Sequence, residues 1–186
     1  MHTVAPSLCN PFPRKPLSRP SGYRETVGLL SDADILRCRA DGSIAIEPFV
    51  ESHMTPNGYD VSVAEVVIPS NGLHVKEGTA QIPPHARFAV GSRETVTLGP
   101  SIAGQIWLRT TWARRGVVTS FGMIDAGFSG NLTFGAFNAA EEPLALPIGD
   151  RFAQIIFFTL ESAAASAYEA RSGHYQGQRG VTLDRP

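Results

Sequence analysis

Phe152-Ala153-Gln154-Ile155-Ile156-Phe157-Phe158 sets the fold class. Only Gln154 interrupts its apolar character, and with so little polar alternation it reads as a central strand buried on both faces. Outward from it, short apolar or alternating runs recur at 44–46, 59–67, 87–90, 95–98, 102–108 and 132–137, and the quoted run itself extends to 160. Pro, Gly, Asn and Asp punctuate these runs. Many short strands at such spacing define an all-β domain of the sandwich or barrel kind.

One helix precedes the strands. Ser31 is a good N-cap, Asp34 stands three residues on, and Asp32 falls in the positive first turn. Ile35, Leu36 and Cys38 supply its apolar face, and Gly42 sits where a C-terminal cap belongs. Before the helix, Pro6, Pro11, Pro13, Pro16 and Pro20 crowd residues 1–25, with Arg14, Lys15 and Arg19 between them. Proline at that density favours extended, solvated chain. We expect a flexible extension there, with a basic docking tail as the competing reading, and one domain over 26–186.

The chain has 186 residues, enough for one domain with a real core. A net charge of −1 gives no basic excess to attract nucleic acid or an anionic membrane, yet leaves room for the few cations a triphosphate needs. Two cysteines, Cys9 and Cys38, make neither a disulfide framework nor a zinc site, and they fit a reducing cytoplasm. No apolar run nears the roughly 20 residues that span a bilayer, and the start of the chain lacks a signal-peptide core. No pair among the histidines has metal-ligand spacing. Neither a Gly-rich phosphate loop nor a nucleophile elbow occurs.

Four clusters carry candidate chemistry. Arg109-Thr110-Thr111-Trp112-Ala113-Arg114 directly follows the 102–108 strand. Two hydroxyls and an arginine at the start of a helical turn form a natural anion site, because backbone N–H groups, hydroxyls and guanidinium all donate; a surface turn with solvated arginines is the alternative. Gly122-Met123-Ile124-Asp125-Ala126-Gly127-Phe128 places a carboxylate among apolar residues, where it can act as a general base, or else it closes a turn and bonds its own backbone. Pro56-Asn57-Gly58-Tyr59-Asp60 is a turn leading into a strand, with Asp60 a turn cap or a more remote partner of a metal. His174-Tyr175-Gln176-Gly177-Gln178 is either a lid over a ligand or a frayed tail.

The order of these clusters resembles the dCTP deaminase and dUTPase superfamily from about residue 30 to 180. Ser31-Asp32-Ala33-Asp34-Ile35, followed by Ile44-Ala45-Ile46-Glu47-Pro48-Phe49, looks like the N-terminal segment of dCTP deaminases. Gly58-Tyr59-Asp60-Val61 looks like the superfamily's first motif. Arg109-Thr110-Thr111-Trp112-Ala113-Arg114 looks like its Arg-Ser-Ser-Leu-Ala-Arg phosphate motif, with threonine for both serines. Ile124-Asp125-Ala126-Gly127-Phe128-Ser129-Gly130 resembles Ile-Asp-Pro-Gly-Trp-x-Gly, Arg151-Phe152-Ala153-Gln154-Ile155 resembles Arg-Ile-Ala-Gln-Leu, and Tyr175-Gln176-Gly177 resembles the segment that folds over the triphosphate.

The resemblance implies a distorted jelly-roll or barrel-like domain of the dUTPase type, a homotrimer with sites at subunit interfaces, and Mg²⁺ bound mainly through the triphosphate. Trp107, Trp112 and Phe128 become candidates for subunit packing, with ordinary core as the competing role. It also implies roles. Asp125 positions water; Arg109, Thr110, Thr111, Arg114 and Gln176 hold phosphates. Ser120, Phe121, Gly122, Met123, Ile124 and Gln154 surround base and sugar, and Tyr168, Tyr175 and Gln176 close the lid.

Family deaminases carry a glutamate ten residues after the motif aspartate. Counted from Asp125 that place is Gly135, which cannot move a proton. Losing general acid–base help is worth roughly 10²–10⁴-fold. The chain therefore resembles the short archaeal-type, deaminase-like dUTPases that lack this glutamate. Three readings stand: a dUTP pyrophosphohydrolase, a dCTP deaminase releasing ammonia by another acid/base, and a nucleotide-binding trimer without turnover.

Overall fold

The computed structural model describes residues 28–183. The proline-rich stretch expected over 1–25 lies outside the described residues.

Helix α1 (Asp32–Ala40) begins as expected. The Ser31 hydroxyl accepts the Asp34 N–H, and the Asp34 carboxylate accepts the Ser31 N–H at 3.0 Å, a reciprocal cap. These bonds from Ser31 hold the Asp34 carboxyl below its ordinary pKa. Gly42 follows the helix with φ +82°, a left-handed conformation that suits glycine. The apolar face is narrower than expected: Ile35 is buried and Cys38 partly so, while Leu36 points to solvent.

The strands are β1 (Ile44–Glu47), β2 (Met54–Thr55), β3 (Gly58–Ile68), β4 (Leu73–Val75), β5 (Thr79–Ile82), β6 (Arg87–Leu98), β7 (Ile102–Leu108), β8 (Val117–Thr119), β9 (Met123–Ile124), β10 (Ser129–Asn138), β11 (Leu144–Pro147) and β12 (Arg151–Thr159). Two single helical turns complete them, α2 (Thr110–Ala113) and α3 (Tyr168–Arg171). One curled antiparallel sheet runs β8-β10-β6-β3-β12-β7-β9, with β1 added to β6 and β2 and β4 added to β3; β5 and β11 form a separate ribbon. The all-β class and the short N-terminal helix thus match the expectation. Its concave side holds the core, including Tyr59, Phe134, Phe152 and Phe157.

Two expectations need correction. β12 is central, paired to β3 and β7, but only the face carrying Ala153, Ile155 and Phe157 is fully buried. Gln154, Ile156 and Phe158 are half-exposed on the other face, beside Trp107 and Met123, each more than half exposed. The runs at 87–90 and 95–98 are one strand. The residues between them, Gly91-Ser92-Arg93-Glu94, read as a break because they are polar.

They pair because their polar groups are satisfied inside. Glu94 is fully buried and accepts both the N–H (2.9 Å) and the hydroxyl (2.7 Å) of Ser62. The Ser92 hydroxyl donates to the Glu94 carbonyl and accepts the Leu132 N–H. Asn131 Nδ2 donates to the carbonyls of Ser92 (3.1 Å) and Glu94 (3.0 Å). At this point β10 shifts register against β6 and β3 shifts against β6, so side-chain bonds replace the missing ladder.

Asn131→Ala leaves two buried carbonyls without these donors. At about 1–3 kcal/mol for each unmet group, we expect about 2–4 kcal/mol of lost stability in urea unfolding. A change below about 0.5 kcal/mol would show that the bulge does not depend on Asn131.

Candidate functional site

The Asp125 turn is closed by backbone: the Phe128 N–H donates to the Asp125 carbonyl at 3.1 Å, and Gly127 takes φ +86°. Gly127 has no room for a side chain, since Ala167 and the start of α3 lie against it. The Asp125 carboxylate makes no hydrogen bond within the described residues, and it is exposed. It therefore does not cap its own turn. It faces a cavity of about 430 Å³, where it is the only carboxylate among the lining residues.

β9 carries Met123 and Ile124 to the cavity rim, and Phe128 forms a wall. Phe128 packs edge-on against Tyr168, ring centroids 5.6 Å apart, and the Tyr175 N–H donates to the Tyr168 hydroxyl. On the opposite side stand β10 and β6, with Gly135 directly across the ladder from Ala89. A Cβ built on Gly135 meets nothing within 4 Å. The position is exposed to the cavity, and no neighbouring side chain fills it. Arg87, two residues from Ala89 on the same face of β6, lines this cavity without an ion pair among the described residues.

The structure brings together Asp125, Gly122, Met123, Ile124, Tyr168, Tyr175 and Gly135. Ser120 lines an adjoining hollow that shares Gly135 and Arg87. Phe121 instead packs inward on Phe134 and Phe152. Gln154 sits on β12 and donates to the Thr55 hydroxyl at 2.6 Å, away from the cavity.

Gln176, expected at phosphate, has both ends of its amide engaged within the chain. Its Oε1 accepts the Ser129 N–H and its Nε2 donates to the Gly127 carbonyl, so its amide anchors the C-terminal segment to the Asp125 turn. The sequence reading passed over the neighbour that does line the cavity. Gln178 is only 4% exposed; its Nε2 is bound to the Asn131 carbonyl, while its Oε1 is buried without a partner among the described residues. Nothing in the pattern separates two glutamines spaced by one residue except which face of an extended segment each takes.

The phosphate candidates occupy another place. Arg109 is the N-cap of α2 and its Nε lies 2.9 Å from Asp60 Oδ2. Arg151 approaches the same carboxylate at 3.3 Å, and Arg109 Nη1 also donates to the Arg151 carbonyl. Burial raises the Asp60 pKa, and the two guanidinium groups partly offset this. Asp60 thus orients Arg109 rather than capping a turn. Thr110, Thr111 and Arg114 are exposed, and none of this group lines the Asp125 cavity. Trp112 is core, donating from its indole to the Arg151 carbonyl, and Phe128 is core as well.

Antiparallel strands thus carry a guanidinium set at the end of β7 and a carboxylate turn after β9. The dCTP deaminase-like family matches residues 69–160. The dCTP deaminase of Thermococcus gammatolerans is 37% identical over 149 residues, 79% of this chain and 93% of that protein. The dUMP-forming dCTP deaminase of Bifidobacterium adolescentis is 34% identical over 180 residues, 84% of this chain and 93% of its own length. The crystal structure of 2'-deoxycytidine 5'-triphosphate deaminase from Agrobacterium tumefaciens shares the fold at TM-score 0.62 and 18% identity, over 72% of this chain and 49% of that one. The chain belongs to the dCTP deaminase-like family.

The orphaned Gln178 acceptor demands a donor. Gln178→Leu, which keeps the bulk but removes both the unmet acceptor and the Nε2 bond to the Asn131 carbonyl, should weaken binding of a nucleoside triphosphate about tenfold or more. Equal affinity of the two proteins in calorimetry would show that Oε1 does not meet ligand.

Proposed function

We propose that the chain hydrolyses dUTP to dUMP and pyrophosphate. The observation that carries this reading is Gly135: the cavity that holds Asp125 has open space where a deaminase needs its acid/base, and Asp125 is its only carboxylate. Deamination at C4 requires one group to take a proton from water and pass it to the leaving nitrogen. Hydrolysis at the α-phosphorus asks less: a carboxylate to orient and deprotonate water, and cations to neutralise the departing pyrophosphate.

Arg87 supports the choice of base. A guanidinium donates hydrogen bonds and accepts none. It suits the 4-keto acceptor of uracil better than the 4-amino donor of cytosine. The Gln178 acceptor suits an N3–H of uracil or a sugar hydroxyl.

Among the described residues no three His, Cys, Asp or Glu side chains converge, so those residues offer no cage for a metal. Mg²⁺ would be held through phosphate oxygens and water, as that ion prefers, with Asp125 the available carboxylate nearby. Bound there, it would supply charge neutralisation at the phosphates. Asp60 has no part in that, because Arg109 and Arg151 occupy it.

The phosphate cluster and the Asp125 cavity lie apart in one chain. A homotrimer resolves this, one subunit supplying Arg109, Thr110, Thr111 and Arg114 and its neighbour supplying Asp125. The half-exposed face of Trp107, Met123 and Ile156 supports such packing, since paired strands place these residues on one side.

The direct assay follows pyrophosphate and ammonia separately, with dUTP and dCTP in turn. We expect pyrophosphate from dUTP and no ammonia from dCTP; ammonia release sinks the hydrolase reading in favour of a deaminase. Asp125→Asn should lower kcat by about 10²-fold or more. Tight binding of a non-hydrolysable dUTP analogue without product would favour a binding protein instead. If sites are shared, mixing inactive Asp125→Ala with inactive Arg109→Ala chains under exchange should restore part of the activity. No recovery in exchanged trimers means that each site is built within one chain.

A further inference from the structure

The segment from Tyr175 to Leu183 forms a wall of the Asp125 cavity through Tyr175, Gln178, Thr182 and Leu183. Its first half is tied to β10 and the turn before it: Gly177 N–H to the Ser129 carbonyl at 2.7 Å, Asn131 N–H to the Gln178 carbonyl at 3.0 Å, and the Gln176 amide. Its second half has its own holds. The Thr182 N–H donates to the Thr133 hydroxyl at 3.0 Å, that hydroxyl reaches the Gly180 carbonyl at 3.4 Å, Arg179 Nη1 donates to the Thr95 hydroxyl at 3.0 Å, and the Val181 N–H donates to Glu65 Oε1 at 2.5 Å.

Glu65 differs from the other anchors. It comes from β3, not β10, and it is charged yet only 7% exposed. Its other oxygen, Oε2, is held by His74 Nε2 of β4 at 2.6 Å and by Lys76 Nζ, just past β4, at 3.4 Å. Burial alone would raise its pKa, but the Val181 N–H, His74 and Lys76 together hold it below the usual range. Two glycines make the seat. A Cβ on Gly91 would stand 3.0 Å from Glu65 Cγ and 3.1 Å from Val181 Cγ2. Gly180 has φ +65°, and a Cβ there would overlap Glu65 Oε1. Carboxylate and segment can meet only because both positions lack a side chain.

We propose that Glu65 is a positioning residue, a latch that β4 fixes at one oxygen and that seats the C-terminal segment over the cavity through the Val181 N–H. The consequence for ligand rests on the cavity being the nucleotide site. Glu65 touches no substrate; it acts through Gln178 and Thr182, whose places depend on the seated chain.

Arg179 lies within the segment and gives a readout that needs no substrate. Limited trypsin digestion of the full chain, with cleavage after Arg179 followed by mass spectrometry, reports how often the segment lifts. We expect Glu65→Ala to cut there about tenfold faster than the native chain, with overall melting little changed. Glu65→Gln keeps the Oε1 acceptor and should stay protected. Gly180→Ala displaces the carboxylate without altering it, in a partly exposed stretch near the end of the described chain, and should match Glu65→Ala. With dUTP, or with dCTP if that is what is turned over, both loosened variants should raise KM about tenfold and change kcat less. Native protection of Arg179 in both Glu65→Ala and Gly180→Ala overturns the latch, as does a lifted segment with unchanged KM. If the native chain turns over neither nucleotide, the hydrolase reading fails while the digestion still decides the latch.

Discussion

Asn131 joins the two halves of this structure. Its side-chain amide satisfies the Ser92 and Glu94 carbonyls where β10 leaves register with β6. Its backbone N–H and carbonyl meanwhile bind Gln178 of the C-terminal segment. One residue thus fixes the bulge that bends the sheet and the register of the wall laid over it. A bulge re-aims the chain that follows it; here that chain carries Thr133 and Gly135 along the cavity. Glu94 makes the bend possible, because a buried carboxylate is tolerated only when hydrogen-bonded, and Ser62 provides both bonds.

The cavity and the phosphate cluster obey different physics. Around Asp125 apolar and aromatic residues such as Ile124, Phe128 and Tyr168 share the lining with Arg87, Thr133 and Gln178, and the carboxylate has no partner among the described residues. Around Arg109 the groups are charged and already paired, with Asp60 buried beneath two guanidinium groups. Such a buried pair costs desolvation and is better understood as orientation than as stability. Asp60 fixes Arg109 Nε while the Arg151 carbonyl accepts from Nη1, so the guanidinium is held at two points.

Much of this was legible in the sequence. Short alternating runs gave the β class, and Ser31 with Asp34 and Gly42 gave both ends of the helix. The motif order placed Asp125, Gly135, Tyr168 and Tyr175, which the fold brings around one cavity. Three things were not legible. Gly91-Ser92-Arg93-Glu94 separates two apolar runs in the sequence because a sequence does not show that Ser62 and Asn131 satisfy its polar groups from distant strands. Gln178 rather than Gln176 lines the cavity because an extended segment alternates faces, and its register against β10 is tertiary information. β12 was read as buried on both faces because apolar content reports that a surface is unsuited to water, not what covers it; Trp107, Met123 and Ile156 show the same ambiguity.

Gly135 has a final consequence. An exposed strand position with no neighbour within reach is a place where packing exerts no discipline. Under the proposed reading, the pyrimidine edge beside it meets no steric gate. Discrimination among bases would then rest on donors and acceptors, Arg87 and Gln178 among them, rather than on shape. Bases enlarged at that edge would be admitted by size and judged by hydrogen-bonding pattern alone.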